Sequence, residues 1–123
     1  MVNEKNSEIE NKVDSWLAIG EVAEQIGTTV PRIKALVDRK VLLGIRRGNP
    51  PIFNIPEKFI KDGKPLDNLK GTLLLLQDAG FSDEESLIWL FTEEPSLEAK
   101  PIDVLYEGTF KTQVRRVIQG LAW

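Results

Sequence analysis

IGEVAEQIGTTVPRIKALVDRKVLLGIRRGNPPIFNIP, residues 19–56, is the stretch around which the chain is organised. Ile19, Val22, Ala23 and Ile26 recur at i, i+3, i+4 and i+7, the apolar stripe of a short helix. Glu21, Glu24 and Gln25 are left on its outer side. Gly27 is the stop, because glycine takes the left-handed conformation of a helix C-terminus without a Cβ penalty. Thr29 is placed to cap a second helix, and Pro31 suits its first turn, where a backbone N–H is not needed. Val30, Ile33, Leu36 and Val37 supply the core side of that helix, while Arg32, Lys34, Ala35, Asp38 and Arg39 point away from it.

Beyond the second helix, Val41–Ile45 and Ile52–Ile55 are rich in apolar and β-branched residues and predict two short strands. Between them Arg46, Arg47, Gly48, Asn49, Pro50 and Pro51 are turn chemistry. Two adjacent arginines at the tip of a ribbon have little to pair with inside a protein and suit phosphate or minor-groove contacts. Helix, glycine turn, helix and basic hairpin together outline a winged helix-turn-helix, a module for double-stranded DNA. On that reading Thr28, Thr29, Arg32 and Ala35 are the base-facing candidates, with Ala35 small enough for close approach to the groove. Lys34 and Arg39 lie nearer the phosphates, and Arg46, Arg47 and Asn49 contribute from the hairpin. The plain structural alternative is a pair of packed helices with a solvated basic face.

The charge distribution favours the DNA reading. The net charge is −3, yet residues 28–64 hold nine basic residues (Arg32, Lys34, Arg39, Lys40, Arg46, Arg47, Lys58, Lys61, Lys64) against Asp38, Glu57 and Asp62, a balance of +6. From residue 69 onward five basic residues face nine acidic ones, a balance of −4. The charge is segregated along the chain, and one pole suits a polyanion. The chain contains no cysteine and no histidine, so thiolate chemistry and most zinc and neutral-pH acid–base chemistry lose their usual residues. The acidic groups Asp83, Glu84, Glu85 and Glu93, Glu94 fall beside helix ends, where carboxylates cap and solvate. The expectation is a non-enzyme, with no catalytic residues, no metal and no cofactor.

At 123 residues the chain suits one compact domain or two small units sharing a core. Residues 1–12 carry little apolar content and are expected as a mobile tail, with 13–66 as the DNA-binding unit and 67–123 as a helical unit. Val13, Trp16 and Leu17 begin the ordered part, with Trp16 packed against it. The opening MVNEKNSEIENK lacks the apolar core of a signal peptide, and apolar runs such as Leu73–Leu76 are far too short to span a bilayer. No membrane association and a cytoplasmic location are expected. Ser7 and Ser15 are candidate phosphorylation sites, where a phosphate would add negative charge near the basic face and oppose DNA binding.

Residues 57–68 read as a linker anchored by Phe59 and Ile60, with a turn at Asp62–Pro65; Lys58, Lys61 and Lys64 either touch phosphates or are solvated. The second half is a run of helices: one over 69–79 ended by Gly80, and one opened by the S-x-x-E capping box of Ser82 and Glu85. A short turn over Ile102–Tyr106 ends at Gly108, and a last helix over 112–122 turns Val114, Val117, Ile118 and Leu121 inward. The fold class expected is mainly α with a small β-hairpin wing, a winged helix-turn-helix followed by a small helical domain.

The stretch 19–56 resembles the winged helix-turn-helix of the MerR and excisionase superfamily, in which an "IGEVA" helix, a glycine turn and a "GLL"-like step into the wing recur. Lys40-Val41-Leu42 stands where the glycine-leucine-leucine step would be. Over roughly residues 13–123 the chain resembles a small actinobacterial DNA-binding protein family with this winged domain and a helical C-terminal domain of unknown function. That resemblance implies DNA binding without an assigned sequence preference, and regulation by a serine/threonine kinase acting on the tail. The spacing Pro101-Ile102-Asp103-Val104-Leu105-Tyr106-Glu107-Gly108 also resembles the C-terminal domain of a class of antitoxins, which implies dimerisation or contact with a protein partner. The leading expectation is therefore a transcriptional regulator or nucleoid factor. The alternative is an interaction adaptor or antitoxin-like protein that binds a partner, or itself, through the helical half.

Overall fold

A computed structural model describes residues 4–109 and 111–121. Helix α1 (Glu4–Lys12) comes first, followed by strand β1 (Trp16–Ala18), α2 (Ile19–Ile26) and α3 (Val30–Asp38). The hairpin strands β2 (Ile45–Arg47) and β3 (Ile52–Pro56) come next, then a 3₁₀ turn (Glu57–Phe59) and the two-residue strands β4 (Ile60–Lys61) and β5 (Lys64–Pro65). Helices α4 (Leu69–Asp78), α5 (Asp83–Leu90), α6 (Pro101–Glu107) and α7 (Lys111–Leu121) complete the chain. The architecture is a winged helix-turn-helix joined to a helical unit, the class expected from the sequence.

The helix-turn-helix forms for the local reasons its residues suggest. Val22 and Ala23 are buried on α2. At the start of that helix Glu21 reaches back to accept from the Ala18 N–H at 2.9 Å. Gly27 closes it at φ +81, and its N–H donates to the Ala23 carbonyl. The Thr29 hydroxyl oxygen accepts from the Arg32 N–H at 3.4 Å, and Pro31 lies in the first turn of α3. Ile33 is fully buried beneath that helix. The Ser82–Glu85 capping box is present in both directions, at 3.2 and 3.0 Å.

Several expectations are corrected. Residues 4–12 are not a mobile tail: they form α1, which packs on α5 and buries Ile9 completely. Residues 1–3 of the expected tail, and Ala122 of the last helix, lie outside the described residues. A strand not foreseen, β1, pairs antiparallel with β3, so the wing is the outer part of a three-stranded sheet in the order β1-β3-β2. The first hairpin strand is 45–47 rather than 41–45. Leu42 and Leu43 are both buried, which alternating strand geometry forbids on a one-sided sheet, and Gly44 passes so close to β3 that a Cβ there would stand 2.2 Å from the Asn54 carbonyl oxygen. Phe59 and Ile60 anchor residues 57–68 in the core as expected, but the segment is more than a linker: Leu66 is buried as well, and β4 pairs with β5 across the turn. Leu121, expected inward, is 44% exposed.

One hydrophobic core runs through both halves, from Ile9 to Ile118. The Phe59 and Phe91 rings meet across it with centroids 5.8 Å apart. This shared core fixes the helix-turn-helix against the helical half and leaves the outer faces of α3 and the wing as free surface.

Candidate nucleic-acid interface

Helix α3 carries its charged side chains on two flanks. On the flank toward α2, Thr28, Arg32, Ala35 and Arg39 line a shallow groove of about 550 Å³ whose floor includes Ile26 and Leu36. On the flank toward the wing, Lys34 and Asp38 of α3 and Arg46, Ile52 and Phe53 of the wing line a second groove of about 580 Å³. Arg32, Lys34, Arg39 and Arg46 are exposed, and none of them makes an ion pair among the described residues. Thr29 is spent on the helix cap and Thr28 is half-buried, so the two threonines differ in what they can offer a ligand.

The two wing arginines are not equivalent, and neither is at the tip. Both lie in β2, where Arg46 pairs with Phe53 and Arg47 with Ile52. Side chains alternate across a sheet, so Arg46 shares its face with Phe53 and Leu17 and looks toward α3. Arg47 is on the opposite face, toward α1. There its Nε donates to Glu10 Oε1 at 2.9 Å, and its guanidinium lies 5.0 Å from the centroid of the Trp16 ring. The expectation that both arginines lack a partner within the protein therefore fails for Arg47. The tip itself is Gly48, Asn49, Pro50 and Pro51, all exposed.

Other cations of the basic stretch are also held internally. Lys40 Nζ pairs with Asp83 Oδ1 at 2.8 Å, joining the end of the helix-turn-helix to α5. Lys58 pairs with Asp103 on α6, and that hydrogen bond is the main reason its pKa is raised. Lys61 donates to the Tyr106 carbonyl oxygen and sits 4.8 Å from the centroid of that ring. Of the two readings open for Lys58 and Lys61, phosphate contact or solvation, neither describes their main engagement. Glu10 is a participant that the sequence does not single out, and Trp16 is expected there only as a packing residue; nothing local ties either to Arg47, because they meet it only through the fold.

Among the described residues no group of three or more His, Asp or Glu side chains is arranged to hold a metal ion, and no helix is long and apolar enough to cross a membrane. Ser7 on α1 and Ser15 before β1 are both exposed.

Residues 66–122 match the family model described as the Rv2175c C-terminal domain of unknown function. A relative from Mycobacterium tuberculosis (strain ATCC 25618 / H37Rv), named DNA-binding protein Rv2175c, is 31% identical over 115 residues, spanning 83% of this chain and 77% of the relative. The NMR structure of Rv2175c superposes with a TM-score of 0.76 at 30% identity, covering 89% of this chain and 82% of that one.

Proposed function

The chain belongs to the family of the mycobacterial DNA-binding protein Rv2175c, and on that premise we propose that it binds double-stranded DNA as a non-enzymatic regulatory or architectural factor. Residues 13–66 are the DNA-binding unit and 67–123 the helical unit that braces it. Helix α3 enters the major groove, with Arg32 and Ala35 toward base edges and Thr28, Thr29, Lys34, Arg39 and Asn49 toward the edges of the contact. Arg46 grips the backbone strand that lies in the groove between α3 and the wing. The observation that carries this reading is the set of exposed cations without an ion-pair partner among the described residues, Arg32, Lys34, Arg39 and Arg46, gathered on α3 and the facing side of the wing.

Phosphate contacts of this kind release condensed counterions, so affinity must fall as salt rises. Gel-shift titrations of specific-candidate and random duplexes across salt test the proposal, and affinity that does not change with salt would sink it. A phosphate on Ser7 or Ser15, added by a serine/threonine kinase, would place negative charge on the α1 side of the wing and weaken binding.

A second reading has one observation in its favour. Leu74 on α4 and Leu121 on α7, helices that pack together, are 40% and 44% exposed. We infer that the helical half can also self-associate or hold a protein partner there. Sedimentation of the wild type and of Leu74→Glu tests it: a monomer at all concentrations together with no co-purifying protein would remove this reading.

A further inference from the structure

The charge of the helical half is itself divided. Helices α4 and α7 carry four basic residues against Asp78 as their one acidic residue. Residues 83–107, from the start of α5 to the end of α6, carry eight acidic residues against Lys100. Lys70, Arg115 and Arg116 are exposed and make no ion pair among the described residues, so these cations find no carboxylate within the described part of one chain.

Apolar surface accompanies the charge at both poles. On α4, Leu74 stands one turn from Lys70 on the same face, and the Arg115 guanidinium of α7 lies over Gly71, 3.8 Å from where a Cβ would stand. Leu74 is exposed, as is Leu121 at the end of α7. At the other pole a groove of about 380 Å³ lies between α1 and α5. Half-buried Phe81, Ile88 and Trp89 line it, together with Thr92, Glu8 and Glu85. The Thr92 hydroxyl donates to the Ile88 carbonyl oxygen, so the groove offers a ligand apolar surface beside carboxylates. The order of packing keeps these surfaces apart: α4, α7 and α6 close a ring with α5, and α1 lies against α5. In that ring α7 is diagonal to α5, so a single chain cannot fold its α4–α7 face into its own groove.

We propose that the α4–α7 face of one copy docks in the α1–α5 groove of another, joining chains head to tail. This rests on the self-association reading above and deepens it by naming the occupant and the matching surface. Leu74 enters against Phe81, Ile88 and Trp89, while Lys70 and Arg115 meet Glu8 and the acidic first turn of α5. A duplex would use the cations of the face and leave its leucines in water, whereas the groove matches both. Because the contact joins two different patches, each added copy leaves one of each unfilled.

Sedimentation velocity of the full chain without DNA, across protein concentration and salt, tests this with Leu74→Glu marking the face and Glu8→Arg the groove. Both residues are exposed, and wild-type melting profiles check that both variants fold. Wild type should sediment faster as concentration rises and slow again as salt rises. Each variant alone should stay at the monomer value. An equimolar mixture of the two should regain the faster species, because each supplies the surface that the other lacks. Glu8→Arg that associates as wild type does, or a mixture that stays monomeric, overturns the head-to-tail contact; if Leu74→Glu alone loses association, self-association through the α4–α7 face still stands. Wild type that is monomeric at every concentration overturns the inference, and a co-purifying protein would then leave only the partner form of the earlier reading. Loss of salt slope for duplex DNA in Lys70→Ala/Arg115→Ala, with wild type monomeric, makes the face a DNA contact and overturns the inference as well.

Discussion

Replacing Arg46 with alanine separates a phosphate contact from a structural one, because its neighbour Arg47 provides an internal control. Four exposed cations on the proposed face, Arg32, Lys34, Arg39 and Arg46, make no ion pair among the described residues. If each neutralises one phosphate, the slope of log K against log salt is about −3.6, and affinity falls roughly 150-fold between about 50 and about 200 mM salt. Arg46→Ala removes one contact, giving a slope of about −2.7 and a loss of roughly 40-fold over the same range. Arg47 is engaged with Glu10 and Trp16, so Arg47→Ala should keep the wild-type slope and instead lower stability by up to about 1 kcal/mol. Fluorescence anisotropy with a short labelled duplex, titrated at four or more salt concentrations, gives the slopes, and thermal melts give the stabilities. A wild-type slope near zero, or the full unit lost from Arg47→Ala and none from Arg46→Ala, would refute the assignment of the two arginines.

Three further outcomes follow from the packing and the backbone. Ile9→Ala should cost about 2–5 kcal/mol, read by denaturant unfolding, because Ile9 is fully buried under α5; a mobile tail would give no change. Lys40 closes α3 in the left-handed region at φ +62, so Lys40→Gly should be about 1 kcal/mol more stable than Lys40→Ala. Both variants lose the Asp83 ion pair, so the difference isolates the backbone, and equal stabilities would count against the strain. The pKa of Lys58 is raised above 10.5 in the folded chain, chiefly by its hydrogen bond to Asp103. Its stabilising contribution is therefore complete below that value and is lost as pH rises through the folded pKa. The stability gap between wild type and Lys58→Met should narrow in melts from about pH 9 to about pH 12, and a gap that does not vary with pH would contradict it.

The parts of the fold that were legible in the sequence are those whose signals are local. The stripe of Ile19, Val22, Ala23 and Ile26, the glycine stop at 27, the Thr29 cap and the Ser82–Glu85 box each need only three to seven neighbouring residues to be recognised. What escaped depends on distant partners. Helix α1 has one apolar side chain, Ile9, too little to announce a stripe, and it is ordered by α5 from the other half. Strand β1 is three residues long and exists because β3 pairs with it. The fate of Arg47 is set by Glu10, 37 positions away. Lys40 stands at a position that favours glycine, and its tie to Asp83 gives one physical reason why a lysine is tolerated there.

The basic balance of residues 28–64 thus conceals two populations. Lys40, Lys58 and Lys61 reach Asp83, Asp103 and Tyr106, and all three ties run from the helix-turn-helix side to the helical half. The acidic second half is in this sense a complement to the first and not merely its opposite pole. Salt acts on both populations, which could confuse a measurement of DNA binding. The halves are also joined by a shared apolar core, including the Phe59–Phe91 contact, and hydrophobic burial is not screened by ions. Moderate salt should therefore leave the melting profile nearly unchanged while it weakens the outward-facing contacts of Arg32, Lys34, Arg39 and Arg46. Under those conditions the salt slope counts phosphates and not loosened struts, which is why the Arg46 and Arg47 variants can be told apart.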